Sequence, residues 1–259
     1  MDPRGLVTAI RTLTAVPVRG KDASDFSDSL VWFPPVGFLL GLVVWLAGQL
    51  WKLAVGPGWA AGGAITLLVL QTVLTRALHL DGVADWADAL GASREREKRL
   101  RIMKDPHVGS FGIIAVGLDL FARWAVLERL FLTGGLPVVI PVSIISRGVM
   151  VALMSRLPYA RQEAGMATPF LCGASRGKAW AAGLISFFLC LFFGPLGVGL
   201  LAAGWVISRL LEASYKKGFG GITGDLLGTA NEFVEIALLW ACACAGERIL
   251  PFLYWNWPW

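Results

Sequence analysis

Residues 58–91, GWAAGGAITLLVLQTVLTRALHLDGVADWADALG, open with a run of about twenty residues in which Arg76 is the only charge, and close on three aspartates. A run of that length and polarity is what a helix needs to cross about 30 Å of hydrocarbon. Comparable runs lie near 31–54, 111–132, 136–156, 179–194, 196–213 and 226–246, which with 58–78 makes about seven. Composition agrees: of 259 residues 56% are hydrophobic and only 16% charged, 12 are tryptophan, and the mean hydropathy is +0.65. That is too little charge to cover a water-exposed surface of this size, so a soluble domain is excluded. The expected fold is all-α, a polytopic membrane helix bundle forming a single integral-membrane domain over 1–259, embedded in a lipid bilayer. Cys172, Cys190, Cys242 and Cys244 fit neither metal-ligand spacing nor a disulfide framework and read as packing residues. The Trp-rich end, 254–259, reads as an interfacial anchor.

The basic residues alternate between connections. The arm 1–29, the loop 79–110, the loop 157–178 and Lys216-Lys217 carry them, whereas the turns near Gly56, Gly134 and Gly194 carry almost none. Lys and Arg are retained in the cytoplasm, so the amino terminus and every substantial loop are expected there. The net charge of +5 is thereby explained without a nucleic-acid partner. In the arm, Leu6, Ile10, Leu13 and Val16 recur at helical spacing, which predicts a short amphipathic helix at the membrane surface.

The loop after the second span, 79–110, is the expected catalytic loop. Asp81, Asp85 and Asp88 stand at i, i+4 and i+7, within about 60° of one another on a helix. Three like charges on one face repel, and a divalent cation resolves the repulsion. Oxygen ligands without a nearby Cys or His pair suit Mg²⁺ or Mn²⁺, and Mg²⁺ brings phosphate oxygens with it. The competing reading is a solvated acidic face balanced by the basic run that follows.

A second block, Gly220-Gly221-Ile222-Thr223-Gly224-Asp225, precedes a helix that carries Glu232 and Glu235. Its backbone N–H groups and Thr223 as a cap suit an anion, which makes Gly220, Gly221, Thr223 and Gly224 candidate substrate-binding residues. A plain glycine-rich connection is the alternative. Lys104, Arg101 and Arg161, with Tyr159 beside the last, are placed to meet phosphate oxygens, while Arg94, Arg96, Lys98 and Arg99 read as ordinary positive-inside charges. Arg147 falls inside a span at the depth of Asp119. Either an Asp119–Arg147 or an Asp119–Arg123 pair would neutralise both partners. His79 and His107 lack a partner at ligand spacing and read as hydrogen-bonding residues.

The stretch LHLDGVADWADALGASREREKRLRIMKDPHVGSFG, 78–112, resembles the signature of the cobalamin synthase (adenosylcobinamide-GDP ribazoletransferase) family. Leu13-Thr14 with Pro17-Val18, Arg147 with Pro158-Tyr159-Ala160-Arg161 and Gly165, and 220–235 resemble the family's other blocks in the same order. Ala89 and Ala15 depart from it, standing where glycine and arginine are common. The resemblance implies a bacterial inner-membrane enzyme that joins adenosylcobinamide-GDP to α-ribazole or its 5′-phosphate and releases GMP. It also implies Mg²⁺ on Asp81, Asp85 and Asp88, Asp225 as a further ligand or base, and Lys104, Arg161 and Arg147 on phosphate. Association into a homo-oligomer is compatible with such an enzyme. Two other readings remain: a CDP-alcohol phosphotransferase, whose Asp-Gly-x-x-Ala-Arg element is not met here, and a transporter using Asp119, Arg147, Glu232 and Glu235 as an ion path.

Overall fold

The computed structural model describes residues 2–255, so the end of the Trp-rich segment, 256–259, lies outside the described residues. All regular structure among these residues is helical. The helices are α1 (Arg4–Leu13), α2 (Phe33–Ala54), α3 (Ala60–Leu74), α4 (Leu78–Ala92), α5 (Arg96–Ile102), α6 (Ser110–Leu132), α7 (Val139–Arg156), α8 (Thr168–Leu171), α9 (Arg176–Leu191), α10 (Gly194–Phe219) and α11 (Gly224–Ala245). Prolines in the first turns of α2, α8 and α10 fit where no backbone N–H is needed. Ser175 and Thr223 cap α9 and α11 by accepting from the backbone N–H of Lys178 and Leu226.

The core is built around α7, whose side chains are buried on nearly every face and which packs against α2, α9, α10 and α11. Gly37 and Gly41 permit the closest of these approaches: a Cβ at Gly37 would stand 2.3 Å from the carbonyl oxygen of Ser143. The outer faces are apolar. Ile65, Val69 and Val73 on α3, Phe121 on α6, Trp180, Leu184 and Phe188 on α9, Leu210 on α10 and Trp240 on α11 are all exposed, as lipid-facing residues are.

Each of the seven apolar runs forms a helix, and these helices differ in length and polarity. Among the described residues four segments are long and apolar enough to cross a membrane: Phe26–Ala54, Ser110–Leu132, Leu136–Arg156 and Gly194–Phe219. A fifth is reached if α3 and α4 count as one bent span. α3 and α9 have only 15 and 16 residues, and α11 carries Asp225, Glu232 and Glu235.

The expected span 58–78 is broken at its end. Arg76 and Ala77 adopt left-handed φ values of +54° and +53°, and α4 leaves at 89° to α3. Each such non-glycine residue costs about 1 kcal/mol or more. The corner is held by Ala77 N–H donating to Thr72 O at 2.9 Å and by the Arg76 guanidinium donating to Arg11 O at 2.7 Å. The expected loop 79–110 is thus mostly helix, as α4 and α5. The amphipathic helix expected in the arm forms as α1, and one face of it packs on the protein: Thr8, Ala9 and Leu13 are buried, and a Cβ on Gly5 would meet Asp28 O at 2.7 Å.

Candidate functional site

Small residues bring α4 onto the start of α11. A Cβ on Gly82 would lie 2.4 Å from Asp225 O, and one on Gly228 3.0 Å from His79 Cα. The Thr229 hydroxyl lies 2.8 Å from Gly82 O and 2.7 Å from Asp225 O, tying the two backbones, and Trp86 packs edge-on against Phe233. α4 runs from this crossing to the first turn of α6 and so covers one end of the bundle.

Two acidic blocks 140 residues apart in sequence meet here. Asp81 is exposed, and Asp85 and Asp225 are half-buried. Burial, and then the negative charges of Asp225 and Asp81, push the Asp85 carboxyl up to about 7, against a smaller opposing pull from Arg161. Among the described residues no three His, Cys, Asp or Glu side chains are disposed to hold a metal ion by themselves. The carboxylates suit Mg²⁺ in its commoner form, in which one or two of them share the ion with water and substrate phosphate.

Asp88 points elsewhere. Its Oδ2 accepts from Gly109 N–H at 2.7 Å and its Oδ1 from Gly112 N–H at 2.8 Å. These are free donors at the start of α6, so Asp88 caps that helix from outside its own chain segment. Gly109 and Gly112 make room, since a Cβ on either would lie within 2.5 Å of an Asp88 oxygen. The Gly-Ser-Phe-Gly sequence at 109–112 is the partner of Asp88, a relation that helical spacing alone could not reveal.

Arg161 reaches the site through a short backbone pairing. Ala160 N–H donates to Ile222 O and Ile222 N–H to Pro158 O, both at 2.9 Å, and a Cβ on Gly221 would clash with Pro158 O at 2.2 Å. The Arg161 guanidinium then donates to Asp225 Oδ2 at 2.8 Å and to Met103 O at 3.1 Å, while its Nε is buried without a partner among the described residues. Lys104 and Glu163 form an exposed ion pair across the neighbouring loops. Arg101 is exposed in the last turn of α5. Tyr159 is half-buried, and its hydroxyl lies over Gly165, where a Cβ would be 2.3 Å away.

The glycine-rich block is chiefly a connector. Gly220, at φ +73°, ends α10 by donating to Tyr215 O and Lys216 O, and Thr223 starts α11. Gly224 is half-open, and a Cβ there would meet only the Ala167 side chain, at 3.9 Å. Arg96 and Arg99, expected to be plain surface charges, dock there: Arg99 donates to Gly218 O at 3.3 Å and lies over the Phe219 ring, and the Arg96 guanidinium covers Gly220.

Arg147 is apart from this cluster. It is 1% exposed and pairs with Glu235 in the interior, where Arg123 meets Glu232, Glu235 (2.7 Å) and Asp119 (3.6 Å). Of the two pairings expected for Asp119, the one with Arg123 forms. Gln71 also donates to Glu235, and His79 Nδ1 lies 3.5 Å from Glu232. The void among these groups is about 10 Å³, room for about one water, so they close on one another rather than line an aqueous path.

Fold and site together describe an all-helical protein with membrane-length apolar helices and, at one end, carboxylates crossed by a guanidinium. The chain belongs to the cobalamin-5-phosphate synthase family, whose model matches residues 5–243. Similar proteins named adenosylcobinamide-GDP ribazoletransferase occur in Chlorobium phaeobacteroides and Syntrophobacter fumaroxidans. The first is 46% identical over 244 residues (92% of this chain, 96% of the relative), the second 40% over 241 (92% of each). No solved structure matches the chain.

Proposed function

We propose that this protein is a membrane-bound ribazoletransferase acting on adenosylcobinamide-GDP. A ribose hydroxyl oxygen of α-ribazole, or of its 5′-phosphate, forms a bond to the phosphorus bearing the cobinamide. The P–O bond to GMP breaks, GMP leaves with the electron pair, and the hydroxyl proton passes to a carboxylate. Family membership and the names of the relatives support this reaction. The observation that carries it in this chain is the meeting of Asp81, Asp85 and Asp225 with Arg161 at one end of the bundle.

Asp81 and Asp85 would hold Mg²⁺, and Asp88 fixes the α6 turn beside them. Bound there, Mg²⁺ would neutralise diphosphate oxygens as charge shifts toward GMP. Arg161 is clamped to Asp225 in the free protein and presents the fork geometry that suits phosphate. Arrival of the diphosphate draws Arg161 from Asp225, which leaves that carboxylate to take the ribose proton. Lys104 and Arg101, exposed on the same side, add positive charge along the approach. The basic loops gather at this end, which supports a cytoplasmic face and amino terminus, and the apolar outer faces of α3, α9 and α11 support seven helices embedded in the bacterial inner membrane.

The test is purified protein in detergent or liposomes with Mg²⁺, adenosylcobinamide-GDP and α-ribazole 5′-phosphate, read as GMP and cobamide formation. Absence of both products with every divalent cation would overturn the proposal.

A further inference from the structure

Between the end of α7 and α8 lies a cavity of about 410 Å³, within the range of about 300–1,000 Å³ typical of small-molecule sites. Met154, Pro158, Tyr159 and Leu171 give it apolar and aromatic walls, Arg156 is the one charged side chain in the lining among the described residues, and Cys172 is a free, exposed thiol within it. Among the described residues no acidic or carboxamide side chain contributes.

The wall chemistry selects among the groups that the proposed reaction must hold. Guanine presents two adjacent N–H donors and is best met by a carboxylate, which this lining lacks. A flat apolar base needs only dispersion and ring contacts, which Tyr159, Met154 and Leu171 supply. Position narrows the choice further. Tyr159 is two residues before Arg161 in the segment that pairs with Ile222, so the cavity wall and the Arg161–Asp225 pair are within about 7 Å along the chain. A base seated at Tyr159 would extend its ribose toward those groups. Arg156 is tethered on one side only, 3.3 Å from Ser208 Oγ and 3.6 Å from Glu212, so an anionic substituent on the sugar would meet positive charge.

We infer that this cavity binds the aromatic base of the acceptor ribonucleoside. The inference rests on the ribazoletransferase reading, and it assigns the acceptor, rather than the guanosine of the donor, to this side of the site.

Cys172 allows a test on the unaltered protein. In detergent, maleimide modification of Cys172 and of the exposed Cys244 on α11 is followed by mass spectrometry with α-ribazole, with GDP, or with neither, and the same preparation is assayed for turnover. Protection of Cys172 by α-ribazole, fivefold or more, with Cys244 unaffected and GDP without effect, is the expected result. Protection by GDP and not by α-ribazole would give the cavity to the donor and overturn the inference. Equal slowing of both thiols, or of neither, would overturn it as well. Turnover without protection refutes the cavity assignment alone, whereas absent turnover refutes the reaction. A variant tests the walls: Leu171→Trp should raise KM for α-ribazole about tenfold and leave KM for adenosylcobinamide-GDP within twofold, and the reverse pattern would count against the cavity.

Discussion

Asp85 and Asp88 lie one helical turn apart on α4 and meet opposite surroundings: Asp85 faces other carboxylates, and Asp88 faces two backbone N–H groups. For Asp85 the folded-state pKa of about 7 lies above its ordinary value of 3.8, so the folded protein binds more protons than the unfolded chain between those pH values. The contribution of Asp85 to stability is therefore present at low pH and is lost as pH rises toward and through 7. Mg²⁺ competes with that proton. Without metal, the melting temperature in detergent should fall between pH 5 and 8 more steeply than in Asp85→Asn, and the stabilisation added by Mg²⁺ should grow over the same range. A metal-free melting curve with the same pH slope in both proteins would show that Asp85 is not held neutral. Asp88→Asn should behave differently, because an amide can accept only one of the two hydrogen bonds and would turn its NH₂ toward the other donor. A loss of about 1–3 kcal/mol in stability is expected, with Mn²⁺ affinity, read by electron paramagnetic resonance, unchanged. Loss of Mn²⁺ binding to the extent seen in Asp81→Asn would make Asp88 a ligand.

At the scale of elements, the apolar periodicity was legible because hydrocarbon thickness fixes run length, and each run from 31–54 to 226–246 contains a helix. The corner after α3 was not legible, since nothing in Thr75-Arg76-Ala77 contains the glycine that a left-handed turn favours. Its geometry is imposed by tertiary contacts: the hydrogen bond from Arg76 to α1, Ala15 N–H donating to Leu74 O at 2.6 Å, and the Gly82 and Gly228 crossing that fixes where α4 must run. A residue held against its own preference is a place where substitution can stabilise. Ala77→Gly should raise stability by up to about 1 kcal/mol if α4 keeps its direction, offset in part by the added freedom of the unfolded chain. Melting in detergent together with retained turnover checks this, and a loss of stability would place the strain elsewhere.

Over the whole molecule, charge follows two rules that the sequence shows only in part. The alternation of the loop cations predicts a single face; of these cations, Arg161, Arg96 and Arg99 make their contacts at Met103 and at 219–220. Partners within the interior were not readable, because which acid meets Arg147 depends on helix rotation, and spacing cannot supply that. The structure seats Arg123 and Arg147 among Asp119, Glu232 and Glu235, joining α6, α7 and α11 in one ionic network. In such a place a lone charge is far more costly than a missing pair. Glu235→Ala strands Arg147 with the Ser146 hydroxyl as its remaining partner and should cost about 3–5 kcal/mol, a fall of roughly ten degrees in melting temperature. Removing both charges, as Glu235→Leu with Arg147→Met, should recover a large part of that loss, since apolar side chains of similar volume then fill the site. The double variant should also retain turnover, because neither residue belongs to the acidic cluster at the end of the bundle. Additive losses in stability would mean that the two charges do not interact, and loss of turnover in a well-folded double variant would tie the interior network to the reaction.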